Sequence, residues 1–137
     1  LEKNSFFDAT DKAISVGEKS YISMAKNTIA GSVIGVAIKD ESRAGFYENR
    51  FLDNKSDVSL YQKKNEFVAG GCAVFPKKDA LKIENSDKNT NKVIIKRQKD
   101  FSYKIPTRRF FDQECKWERQ YKELEEIAPW IDLNTNI

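Results

Sequence analysis

Apolar residues recur along this chain with two different rhythms. Ile22, Ala25, Ile29, Val33 and Val36 fall at spacings of three and four, and Asp8 stands ahead of them as an N-cap type. That beat predicts a helix over 9–30, although Gly17, Gly31 and Gly35 dilute it. Ile34, Val36 and Ile38 alternate instead, so a strand is expected over 32–38. Ala44, Tyr47 and Phe51 share one helical face before the turn-forming tract NKSD. Four short apolar runs follow: FVAGGCAVF (67–75), ALKIE (80–84), KVIIKR (92–97) and FSYKI (101–105). Pro76, the tract NSDKNTN and QKD separate them, a spacing that favours an antiparallel meander.

The last segment carries the longest helical stripe. Phe110, Trp117, Tyr121, Leu124 and Ala128 fall on one face, opposite the pairs Glu118–Lys122, Arg119–Glu123 and Lys122–Glu126, and Pro129 ends the pattern. Trp117, Tyr121 and Leu124 are expected to be core. The fold class expected is α+β: an N-terminal helix, an antiparallel four- to five-stranded meander sheet, and a C-terminal amphipathic helix packed on the sheet. A single domain over 1–137 is expected, with 1–8 a flexible arm and 131–137 a flexible tail. No internal repeat is visible in the pattern. A long first helix, a meander and a late cysteine resemble pilin globular domains in architecture alone, and no residue is carried over.

Composition narrows the chemistry. With no histidine in the chain, the usual neutral-pH acid–base group, the commonest metal ligand and every histidine-dependent triad are missing. No metal and no cofactor is expected. AGSVIG and AGG match no phosphate-binding loop, and close backbone approach is the better account of their glycines. Asp53, Asn54 and Asp57 lack the glycine and closing glutamate of a calcium loop. Glu123, Glu125 and Glu126 read as a solvated helix face. The expectation is a protein that is not an enzyme.

Cys72 sits in an apolar strand and Cys115 in the last helix. Their even count and placement point to a disulfide, and a disulfide points to a periplasmic or secreted protein; free cysteines would point to the cytoplasm. The chain opens at Leu1 rather than Met, which reads as a processed or trimmed form, and no apolar run is long enough to span a bilayer.

Net charge is +3, yet Lys92, Lys96, Arg97, Lys99, Lys104, Arg108 and Arg109 stand within one stretch against Asp100 alone. The rest of the chain is therefore mildly acidic. A hairpin register would turn Phe101 and Tyr103 inward, leaving few stacking platforms among the cations. Lys96, Arg97, Lys99, Arg108 and Arg109 are the candidate partner-binding residues, facing a protein with an acidic patch. A toxin-neutralising immunity or inhibitor protein is the reading this favours. The alternatives are a nucleic-acid-associated module using the same band and a pilin-like surface-assembly subunit.

Overall fold

The computed structural model describes residues 1–77, 80–96 and 107–117. The apolar pattern resolves into short parallel strands that stack coil upon coil. Successive coils add strands to three sheets, so partners lie about one coil apart in sequence. Ser5 pairs with Thr28 and Thr28 with Arg50; Lys12 pairs with Ile34 and Ile34 with Ser56; Tyr21 pairs with Arg43. The strands are β1 (Ser5–Phe7), β2 (Lys12–Val16), β3 (Tyr21–Ala25), β4 (Thr28–Ala30), β5 (Ile34–Lys39), β6 (Arg43–Tyr47), β7 (Arg50–Leu52), β8 (Ser56–Tyr61), β9 (Cys72–Phe75), β10 (Ile83–Asn85) and β11 (Lys92–Ile95). One sheet runs β1-β4-β7, the second β10-β8-β5-β2 and the third β11-β9-β6-β3. All the pairings among the described residues are parallel, so the architecture is a β-solenoid.

This overturns the α+β meander. Residues assigned to an N-terminal helix over 9–30 form β2, β3 and β4, and the second helical stretch forms β6 and β7. The likeness to pilin domains lapses with that first helix. The arm over 1–8 holds β1 and joins the stack. The four strand-like runs are partly real, since β9, β10 and β11 lie within or across three of them, and among the described residues their partners are strands of neighbouring coils in parallel. The fourth, 101–105, lies outside the described residues, as do Tyr121, Leu124 and the tail over 131–137.

Inside the stack, like sits on like. Ile14, Val36, Val58 and Ile83 form one inward column; Val16, Ile38 and Leu60 form another; Phe6, Ile29 and Phe51 form a third. Phe46 and Phe75 stack with ring centres 4.7 Å apart. Such columns bury apolar surface that no single coil could bury alone, at roughly 25 cal/mol per Å².

The corners between strands need left-handed backbone. Lys3, Lys26 and Glu48 have positive φ, as do Asp8, Gly31 and Asp53, and again Glu18–Lys19 and Asp40–Glu41. Only one of these residues is glycine, although the conformation costs other residues roughly 1–2 kcal/mol. Side-chain ladders offset that cost. Asn4 donates its backbone N–H to Oδ1 of Asn27 (2.9 Å), and Asn27 does the same to Asn49 (3.0 Å). The amide of Asn27 reaches back to Leu1 O (3.0 Å) and that of Asn49 to Met24 O (2.8 Å). At the next corner Ala9 donates to Ser32 Oγ, Ser32 to Asn54 Oδ1, and Asn54 in turn bonds Ile29 O and Asp57. So Asn54 and Asp57 are buried ladder parts. The pair Gly70–Gly71 fits the expected close approach: a Cβ on Gly71 would lie 2.3 Å from Ile38 O.

Candidate functional site

Of the three sheets, the one containing β9 has its outer side covered. Arg108–Glu114 forms α1, with Thr107 as N-cap accepting the Phe110 N–H through its side chain. The described helix is thus shorter than the stripe over 110–128 predicted, and residues 118–137 are outside the described set. Phe111, Cys115 and Trp117 pack on Ala69, Cys72 and Val74, forming a second small core outside the solenoid.

Two fastenings hold α1 there. Cys72 and Cys115 are joined by a disulfide with Cα atoms 6.0 Å apart, both side chains buried. It closes a 43-residue separation, a restraint contributing roughly 3–4 kcal/mol. The second is Arg43, whose guanidinium lies 4.9 Å from the Tyr21 ring centre and 4.8 Å from that of Trp117. Desolvated cation–π contacts of this kind contribute up to about 2 kcal/mol. Asp112 closes the cluster, accepting from Tyr21 Oη–H at 2.5 Å and lying 3.7 Å from Arg43 Nε. Trp117 is 2% exposed and donates its indole N–H to Thr90 O. Its burial agrees with the core role read from the helical stripe.

The candidate cations land unevenly. Lys96 follows β11 and pairs with Glu114 at 3.1 Å, while Arg108 sits over the other face-side ring, 4.9 Å from the Tyr21 centre. Arg109 is exposed. Because Tyr21 belongs to the first coil and Lys96 follows the last strand, α1 runs along the stack and spaces these charges lengthwise. Arg97, Lys99 and Lys104 lie outside the described residues. The described part of the proposed hairpin, β11, pairs in parallel with β9, and its expected return strand lies outside the described residues. Val93 and Ile95 share a face as expected, at 39% and 46% exposure on the last coil.

Sequence reasoning passed over Tyr21 and Arg43. A signal existed, since both begin strands one coil apart and share a register position with Cys72. A separate electrostatic cluster lies on the sheet of β5 and β8. Burial, then Lys63 and Lys12, push Lys39 below the usual lysine range, and burial raises the Tyr61 phenol. Hydrogen bonding to Asp11 raises Lys12. Asp40, fully buried, accepts the backbone N–H groups of Lys63 and Lys64 on one carboxylate oxygen, which anchors the start of the long loop before β9.

Among the described residues no three His, Cys, Asp or Glu side chains converge as metal ligands. Nor, among them, is any helix long and apolar enough to cross a membrane. A family model described as periplasmic copper-binding protein (NosD) matches residues 1–99. No curated protein and no solved structure matched the chain. The family and the disulfide together place the chain in the periplasm.

Proposed function

The chain belongs to the NosD family, and from that premise we propose that it is a non-enzymatic recognition module of the periplasm, binding an acidic protein partner along α1. The observation that carries this reading is the fixing of α1. A short helix bearing exposed Arg108 and Arg109 is fastened to a rigid stack by the Cys72–Cys115 bridge and the Tyr21–Arg43–Trp117 cluster. Cations held this way lose little freedom on binding, and rim charges mainly accelerate association. The immunity or inhibitor role suggested by the sequence draws no support from fold or family, so the reading stays at protein recognition.

Copper is the ligand in the family's description, and the residues here do not fit it. Copper sites draw on imidazole, thiolate and thioether donors. This chain has no histidine, its one methionine, Met24, is 1% exposed inside the core, and both cysteines are bonded to each other. Calorimetric titration of the oxidised chain with Cu(II) should therefore show no stoichiometric binding.

The test of the recognition reading is association kinetics with a partner captured by cross-linking in periplasm. Arg97→Glu combined with Arg109→Glu should slow association by roughly one to two orders of magnitude and leave the circular dichroism spectrum unchanged. Unchanged kinetics would reduce the band to solvated surface. A steep log–log salt dependence toward single-stranded DNA would favour the nucleic-acid reading instead.

A further inference from the structure

The outer face of the sheet β1-β4-β7 carries an apolar column that stays exposed. Phe6, Ile29 and Phe51 turn inward, so their neighbours Phe7, Ala30 and Leu52 stand in register on the outside. Phe7 is 63% exposed and Leu52 43%, and Val33, at the corner after β4, is 41% exposed. Ala30 lies between the two larger side chains and leaves a notch two strand spacings long, roughly 10 Å.

Charged residues flank this column in a fixed order. Along the third coil the exposed residues run Glu48, Arg50, Leu52, Asp53 and Lys55: acid, base, apolar, acid, base. Along the first coil Lys3 stands on one side of Phe7 and Asp8 on the other, both exposed. Among the described residues, none of these charged side chains forms an ion pair.

That order decides the occupant. A half-turn about an axis parallel to the stack reverses it to base, acid, apolar, base, acid. A second copy laid on this face in that orientation sets Glu48 opposite Lys55 and Arg50 opposite Asp53, with Leu52 against Leu52. The same half-turn sets Lys3 opposite Asp8 and Phe7 against Phe7. A half-turn about an axis across the stack would instead bring Asp8 onto Asp53, acid on acid. The face is complementary to itself in one orientation, the condition that a two-fold contact requires.

We infer that this face is a two-fold contact between copies of the chain, with the stacks side by side and pointing the same way. Three strands and their corners cover roughly 15 by 20 Å, so each copy contributes roughly 300 Å². A standard interface takes about 800 Å² from each partner, so the dissociation constant should be roughly 0.1–1 mM. The contact forms where the chain is concentrated. It uses a different sheet from the one that α1 covers, and leaves α1 open on both copies.

Sedimentation equilibrium of the disulfide-bonded chain, run up to about 1 mM, brackets that constant and tests the contact. The wild type should show a monomer–dimer equilibrium that weakens with salt. Phe7→Asp should remove the dimer. Arg50→Asp and Asp53→Lys should each weaken association by about tenfold, because each sets like charges together twice across the two-fold. Mixing these two variants should restore association to within about threefold of the wild type, since both contacts of the mixed pair are again unlike. Circular dichroism should show the native spectrum for each variant. A monomer at every concentration, a dimer that survives Phe7→Asp, or a mixture no tighter than its separate variants would each overturn the contact. Arg109→Glu should leave association unchanged, so this contact and the α1 reading stand or fall separately.

Discussion

Replacing Asn27 by Ala probes what permits a left-handed corner without glycine. Asn27 is fully buried at the middle of its ladder, one residue after Lys26 at φ 55°. Its Oδ1 accepts from Asn4 N–H at 2.9 Å and from Asn4 Nδ2 at 3.2 Å; its amide donates to Leu1 O and Asn49 Oδ1, each at 3.0 Å. Alanine leaves Asn4 N–H without this acceptor, while Leu1 O keeps a bond from Ala25 N–H and Asn49 Oδ1 keeps one from Asn27 N–H. One orphaned, partly buried donor plus the small void gives a cost of about 2–3 kcal/mol. Asn4→Ala is the internal control, because its side chain is exposed and bonds only Glu2 O and Asn27. It should cost less than about 1 kcal/mol. Urea unfolding of the oxidised variants, followed by circular dichroism, measures both. Equal costs for the two would refute the claim that the ladder interior, rather than strand pairing alone, holds the corners. Asn27→Asp adds a sign test: a carboxylate facing Leu1 O and Asn49 Oδ1 should be at least as costly at neutral pH and less costly in acid, where its proton restores a donor.

Other expectations follow from the covered sheet and the charged cluster. Trp117→Ala should lower stability by roughly 3–5 kcal/mol, seen as a fall in melting temperature, since it removes both packing and the ring over Arg43. Cys72→Ser with Cys115→Ser should lose roughly 3–4 kcal/mol, and the native unreduced wild type should titrate no thiols. Tyr61 has a phenol raised from its ordinary value of 10.0 chiefly by burial. Its neutral form is favoured in the folded state, so its contribution is intact below pH 10 and is lost as pH rises through the raised value. Tyr61→Phe should flatten that part of the alkaline melting profile, and an unchanged profile would assign the loss to other groups.

Much of the chemistry around Cys72 was legible along the chain. The even count of cysteines, with Cys72 in an apolar strand and Cys115 on the last helical stripe, pointed to the disulfide and the compartment without any coordinates. The stretches of β9 and β11 also announced themselves by their β-branched and apolar runs. The solenoid did not, and the reason is physical. Ile22, Ile29 and Val36 point inward from three different sheets, and the corners between their short strands stretch the strand period of two into spacings that imitate a helix. The corners carry Lys, Glu and Asp where left-handed backbone usually shows as glycine, so punctuation was missing too. The spacing of Asn4, Asn27 and Asn49 did encode the repeat, but each asparagine acts only on its counterpart one coil away, and local propensity is blind to such partners. Tertiary structure alone decided that Arg43 would meet Tyr21 and Trp117, and that Lys96 would be paired while Arg109 stayed exposed. Those outcomes depend on stacking register, which only the closed coils set.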